Sequence, residues 1–118
     1  FALTYPDRLK AGWEDFDPSN MSDLTFEKPD QAKFPSIRLA YEALSQSGTA
    51  TAALNVANDN SVKLFLDGKI GFTQIARINE SVLNEHDWIE NPDLNDLVEL
   101  ERWGKSFVES ESKEAVTV

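Results

Sequence analysis

Four amphipathic segments between Pro35 and Val108 limit most strongly what this chain can fold into. In each segment apolar residues recur at spacings of three and four, which is the pattern of a helix with one apolar face. The connections between the segments are short, about two to eight residues, and such connections favour antiparallel neighbouring helices. The sequence therefore predicts an all-α fold, a four-helix bundle over residues 35–118 that follows an extended arm over residues 1–34.

Start and stop signals give the expected limits of the first two helices. Pro35 suits the first position of a helix, and Gly48 ends that helix. Its expected core positions are Ile37, Ala40, Tyr41 and Leu44. Thr49 is expected to cap the second helix, which ends at Asp67-Gly68. The expected core positions of the second helix are Ala50, Ala53, Leu54, Ala57, Val62 and Phe65.

The third helix is expected from about Thr73 to Glu85. Its expected core positions are Ile75, Ile78 or Ala76, Val82 and Leu83. The fourth helix opens with Asn91 as the N-cap and Pro92 at the first helical position. Its apolar stripe continues to Val108, and the polar stretch ESESKEAV beyond it is expected to fray.

The first 34 residues read as an extended, turn-rich arm, because four of the five prolines lie within residues 1–35. The stretch from Asp23 to Asp30 predicts at most a short strand, with Leu24 and Phe26 on one face. The large apolar residues of the arm argue against a disordered linker, and we expect Trp13, Phe26 and Phe34 to hold it against the helices unless the chain self-associates. The chain starts at Phe1, so we also expect it to be cut from a longer polypeptide.

The charge balance excludes several classes of partner. The chain carries 21 acidic and 11 basic residues, a formal net charge of -10, with no basic cluster. Phosphate backbones and anionic lipid surfaces would be repelled, so neither a nucleic acid nor a membrane is expected as a partner. There is no cysteine, which removes disulfides, thiolate metal ligands and cysteine nucleophiles.

No residue stands out as catalytic. His86 closes the third helix, where a histidine interacts favourably with the helix dipole. The acidic pairs Asp15 with Asp17, Glu85 with Asp87 and Glu109 with Glu111 lie in polar stretches typical of a solvated surface. Trp13, Trp88 and Trp103 belong to separate segments, which favours packing over a shared aromatic surface. Neither phosphate-binding glycine motif occurs, so we predict no catalytic, cofactor-binding or metal-binding residue in this chain.

Asparagines within the second helix require an explanation, because their side chains compete with the helical backbone for hydrogen bonds. They are Asn55, Asn58 and Asn60. A catalytic site, a ligand site and an internal clamp would each explain them. We favour a structural clamp in which Asn55 and Asn58 pair with the backbone of a passing segment, with Asn60 closer to solvent.

Several motifs in order resemble one enzyme family. The stretches YPDRLKAG, LTFEKPD, FPSIRLAYEAL and GTATAALNVANDNSVKLFLDGKIGFTQIA are similar to the C-terminal part of the 1-deoxy-D-xylulose 5-phosphate reductoisomerases, from about Phe1 to about Val108. Two departures are visible: Val56 replaces a usual alanine, and Asp59-Asn60 stands where the family has Glu followed by a small or apolar residue. The resemblance implies a C-terminal helical domain with its preceding linker arm.

The resemblance also implies what the whole enzyme does. Family members rearrange 1-deoxy-D-xylulose 5-phosphate and reduce the intermediate with NADPH to 2-C-methyl-D-erythritol 4-phosphate, using Mg²⁺ or Mn²⁺, in the non-mevalonate isoprenoid pathway. They are homodimers of the cytoplasm, or of a plastid-type organelle, and bind NADPH and metal in domains that precede this segment. A supporting role for this segment is therefore expected, with the missing domains of the same chain as its partners. The alternative is a free-standing acidic helical module that binds another protein.

Overall fold

The computed structural model describes residues 4–7, 9, 12, 17, 19 and 25–114, except for the side chain of residue 114. These residues form four helices and no strand, so the predicted all-α class is confirmed. The helices are α1 (Pro35–Gln46), α2 (Ala50–Leu66), α3 (Phe72–Glu85) and α4 (Leu94–Glu114). In this part of the chain, no helix has the combined length and apolar character that a bilayer span requires.

The fourth helix differs from its prediction at both ends. It begins at Leu94 rather than at Pro92, because Asp93 is the residue that caps it. The Asp93 Oδ1 atom accepts hydrogen bonds from the N–H groups of Asn95 and Asp96, while Asp96 Oδ2 accepts one from the Asp93 N–H. This reciprocal capping box satisfies donors that a helix start otherwise leaves unpaired. The helix also continues past Val108 to Glu114, where we expected fraying.

Helix α2 is the centre of the bundle and packs against the other three helices. The residues on its innermost stripe are fully buried and small: Ala50, Ala53, Ala57 and Ser61. Small residues let neighbouring helices approach closely, and the main core forms where this stripe meets Ile78 and Val82 of α3 and Leu100 and Val108 of α4. A Cβ atom at Gly104 of α4 would lie 2.8 Å from the Val56 side chain, so these two helices are in close contact.

Helix α1 lies outside this core. It contacts α2 and α3 but not α4, and its buried residues Leu39 and Ala43 form a second, smaller cluster with Ala50 and Leu83. The predicted core face of α1 is wrong, since Ile37, Tyr41 and Leu44 are 36%, 69% and 67% exposed. The helix has two apolar faces, and the inward face carries fewer apolar residues than the exposed one.

The α1–α2 connection (residues 47–49) and the α3–α4 connection (residues 86–93) meet at one end of the bundle. Thr49 is 1% exposed, and its N–H donates to the Ile89 carbonyl oxygen at 2.9 Å, while the Ile89 N–H donates to Thr49 Oγ1 at 2.9 Å. The Trp88 indole N–H donates to the Ser47 carbonyl oxygen at 3.3 Å beside them. Thr49 immediately precedes α2 but makes no side-chain cap, contrary to expectation, because its hydroxyl binds the other connection.

Residues 25–34 of the arm are exposed, and among them only Ala32, Lys33 and Phe34 border a cavity that α2 and α3 also line. Residues 25–30 form no strand, and no strand occurs elsewhere among the described residues to pair with them. Phe26 is 89% exposed and Phe34 53% exposed, so the expected contact of Phe26 with the bundle is not made. Trp13, Phe16 and Leu24 lie outside the described residues. A turn closed by Asp30, whose Oδ1 accepts from the Ala32 and Lys33 N–H groups, leads into α1.

Two glycines provide a matched test of the junction between the connections. Gly48 has a φ of +55° and a Cβ there would collide with the Ile89 carbonyl oxygen, whereas Gly68 has a φ of +72° and open space around it. Gly68→Ala should therefore cost only the strain of a positive φ, about 1–2 kcal/mol. Gly48→Ala should lower the free energy of unfolding, measured in urea, clearly more than Gly68→Ala does. The reason is that the backbone of the second connection must move. Equal losses for the two variants would contradict this packing.

Candidate functional site

His86 follows α3 directly and is buried, with 8% of its surface exposed. Its Nδ1 atom lies 2.8 Å from the Leu83 carbonyl oxygen. A carbonyl oxygen only accepts, so Nδ1 donates in this contact, and Nε2 is buried without a partner in the described structure. This contact with the last helical turn is the one that the end-cap interpretation predicts.

The acidic pairs do not form a metal centre in the described residues. Glu85 and Asp87 line a cavity of about 240 Å³ together with Asp96, Glu99 and Trp103. Across the described chain, no group of three or more histidine, aspartate or glutamate side chains is arranged to hold a metal ion. Glu109 and Glu111 lie on α4.

Only one member of the Asp15 and Asp17 pair can be located. Asp15 lies outside the described residues. Asp17 accepts hydrogen bonds from the Ser19 hydroxyl and the Ser19 N–H, and these bonds hold the pKa of Asp17 below its ordinary value. The contacts are those of a local turn in an exposed segment.

The two described tryptophans make separate contacts. Trp103 is half-buried and stacks on Phe107, with 5.1 Å between the ring centres and an angle of 29° between the ring planes. Trp88 is 50% exposed and donates to the Ser47 carbonyl oxygen. The stacking lies within α4, where Trp103 also packs against the main core, and the Trp88 bond joins the two connections, so both are packing residues.

The asparagines of α2 point in different directions. Asn58 is exposed, and its Oδ1 atom accepts a hydrogen bond of 3.2 Å from Asn79 Nδ2 of α3. Asn60 is half-buried and donates to the Val56 carbonyl oxygen of its own helix at 2.8 Å, so the expectation that it lies closer to solvent than Asn58 is wrong. Asn55 is exposed, and its side chain forms no hydrogen bond within the described residues.

Asn79 is a functional candidate that we did not identify from the sequence. Its side chain is only 2% exposed, and its Oδ1 atom is buried with no hydrogen-bond partner in the described structure. It follows Ile78 and precedes Val82, both buried, so it lies on the apolar face of α3. A polar residue at a core position was the signal that could have identified it.

Two of these asparagines and Asn79 border one groove between α1 and α2. The groove has a volume of about 490 Å³, and its apolar wall contains Leu39, Leu44 and Leu54. None of the described residues that line it carries a charge, although 27% of the chain is charged. Its polar groups are carboxamides and hydroxyls, which can both donate and accept hydrogen bonds.

Part of the exposed face of α1, Ala40 and Leu44, lines this groove. We call Ile37, Ala40, Tyr41 and Leu44 the outer face of α1; they recur at helical spacing and are all exposed. The helix is fixed to α3 by Arg38, whose guanidinium lies 2.6 Å from Glu80 Oε1 and 2.9 Å from Glu42 Oε1. The hydrogen bonds to Glu80 and then Glu42 raise the pKa of Arg38, so this side chain stays charged.

The comparison with known proteins identifies a family. The family model described as the DXP reductoisomerase C-terminal domain matches residues 1–107. The 1-deoxy-D-xylulose 5-phosphate reductoisomerase of Acetivibrio thermocellus is 43% identical over 109 residues, which are 92% of this chain and 29% of that protein. The chain thus spans less than a third of the length of such relatives.

Solved structures agree with this assignment. A DOX-P reductoisomerase in complex with magnesium superposes on 95% of this chain and 30% of its own, with a TM-score of 0.74 and 30% identity. The reductoisomerase of Zymomonas mobilis in complex with NADPH covers 93% of this chain and 29% of its own, with a TM-score of 0.76 and 32% identity. This chain belongs to the DXP reductoisomerase C-terminal domain family.

Proposed function

We propose that this chain is the C-terminal supporting domain of a 1-deoxy-D-xylulose 5-phosphate reductoisomerase. The whole enzyme isomerises and reduces its sugar phosphate with NADPH and a divalent metal ion, as a homodimer in the cytoplasm. The family match supports this proposal, as do the magnesium and NADPH complexes of the two solved relatives. Catalysis, NADPH binding and metal binding are assigned to the other domains of the same polypeptide, since the chain corresponds to 29% of the Acetivibrio thermocellus enzyme.

The outer face of α1 is the observation on which the supporting role rests. Tyr41 and Leu44 are 69% and 67% exposed, and Leu44 also lines the groove. A contiguous apolar surface of this kind marks an interaction site. We assign it to contact with the preceding domains of the enzyme, which are tethered to this chain. The free-standing interaction module is the less favoured alternative, because the relatives carry this segment as part of a longer protein.

We divide the chain into a linker arm over residues 1–34 and a bundle over residues 35–118. Two observations support the boundary: α1 begins at Pro35, and residues 25–34 are all outside the buried core. The arm then connects the bundle to the domains that precede it.

A grafted enzyme tests the supporting role. In the graft, this chain replaces the matched 109-residue segment of the Acetivibrio thermocellus enzyme. The graft should oxidise NADPH with the sugar phosphate, whereas the isolated chain should show no turnover. Leu44→Glu should leave the melting temperature of the isolated chain unchanged, because Leu44 is exposed there. In the graft it should lower the temperature at which activity is lost, since a charge would enter an apolar contact.

Leu94→Glu is the matched control for this substitution. Leu94 is 76% exposed at the start of α4, so it undergoes the same chemical change on a different helix. We expect little effect of Leu94→Glu in either the isolated chain or the graft. An inactive unsubstituted graft would contradict the proposal, and so would equal effects of Leu44→Glu and Leu94→Glu on the graft.

We further propose that Asn58 is an internal clamp between α2 and α3. Its partner is the Asn79 side chain rather than a passing backbone, which changes the form of the clamp expected from the sequence. Asn79 is buried and Asn58 is exposed, so Asn58 supplies the hydrogen bond that Asn79 cannot obtain from water. The second expected clamp residue, Asn55, has no role inside the bundle in this proposal.

Asn58→Leu tests the clamp. It should lower the free energy of unfolding by about 1–3 kcal/mol, because the buried carboxamide of Asn79 would lose its partner. The double variant with Asn79→Leu should recover most of this loss, since both polar groups are then removed. Asn60→Leu is the control and should have a smaller effect, because Asn60 bonds only its own helix. If urea unfolding gave Asn58→Leu the same free energy of unfolding as the wild type, the clamp would be excluded.

A further inference from the structure

The geometry points to a main-chain binding site in the groove between α1 and α2. We propose that this groove receives a short extended segment of the preceding part of the enzyme, and that Asn55 and Asn58 pair with the peptide groups of that segment. This inference rests on the proposed function and specifies how the outer face of α1 is covered.

The groove carries the hydrogen-bonding groups that a peptide backbone requires. Asn58 Oδ1 is held by Asn79 Nδ2, which leaves the two N–H donors of Asn58 without a partner in the described structure. Asn55, one helical turn earlier, has its whole carboxamide unpaired among the described residues. A carboxamide offers a donor and an acceptor side by side and can pair with the C=O and N–H of a peptide unit. Asn79 is the positioning residue, because its hydrogen bond fixes the orientation of Asn58.

The charge and size of the groove select the occupant. Because its lining within the described part of the chain has no charged residue, that lining offers neither a cation for phosphate nor a carboxylate for metal. Its walls are apolar, so alternate side chains of an extended segment can pack on the accessible Leu44 and Leu54. The part of α1 that lines the groove runs from Ser36 to Leu44 and is about 14 Å long. An extended chain of about four residues has the same length.

The rest of the enzyme is the source of this segment. The chain corresponds to 29% of the Acetivibrio thermocellus relative, so most of that polypeptide is tethered to it. A tether keeps a segment at an effective concentration of about millimolar for short flexible linkers, so a few main-chain hydrogen bonds and apolar contacts suffice for binding. The exposed asparagines lower the stability of α2 as a helix, and main-chain pairing would offset this loss.

Asn55→Leu distinguishes main-chain pairing from simple burial. Leucine is a better helix former than asparagine, so the isolated chain should be as stable as the wild type or more stable. If the groove only buried apolar surface, leucine would also stabilise the grafted enzyme. If Asn55 pairs with a backbone, the temperature at which the graft loses activity should fall by about 2–4 °C, because peptide groups lose their partner.

Asn95→Leu on α4 is the matched control, an exposed asparagine away from the groove, and should not lower the inactivation temperature of the graft. An unchanged or raised inactivation temperature for Asn55→Leu would overturn the inference. If Leu44→Glu still harms that same graft, the proposed supporting role stands and only the main-chain pairing fails. If neither substitution affects the graft more than its control, the supporting role and the main-chain pairing are both wrong.

Discussion

The small buried stripe of α2 is the constraint on which the rest of this structure depends. Ala50, Ala53, Ala57 and Ser61 are all fully buried, so α1, α3 and α4 can each approach the same helix. Interiors are close-packed, and a larger residue on this stripe would push at least one helix away. The contact of Val56 with Gly104 shows how little space is left between α2 and α4. The pairing of Thr49 with Ile89 then joins the two connections at one end.

The position of α1 follows from this arrangement and leaves exposed the surface on which the proposed function rests. Helices α3 and α4 complete the main core with α2, and α1 is left at the edge with only Leu39 and Ala43 buried. An edge helix has one face free. Here that face is apolar and borders an uncharged groove, which suits contact with another part of the same enzyme. A supporting domain requires such a surface and does not require catalytic groups of its own.

Local signals allowed the helices to be predicted, and contacts between distant residues explain the errors. Pro35 and Gly48 act through their own backbone preferences, so the limits of α1 were predictable. The inward face of α1 was not, because both of its faces are apolar and only the packing of α2 and α3 distinguishes them. The role of Thr49 depends on a residue 40 positions away, and that of Asn58 on one 21 positions away. The valine at position 56, an alanine in the family motif, fits because Gly104 has no side chain.

The accessibility of Tyr41 tests the central claim that the outer face of α1 is built to be covered by the rest of the enzyme. The chain has only two tyrosines, and Tyr41 is 69% exposed in the isolated chain. Nitration of Tyr41 with tetranitromethane, followed by mass spectrometry of the peptide that contains it, measures its exposure in both the isolated chain and the grafted enzyme. We expect rapid nitration in the isolated chain and strong protection in the active graft. Equal rates of nitration at Tyr41 in the two proteins would contradict the account.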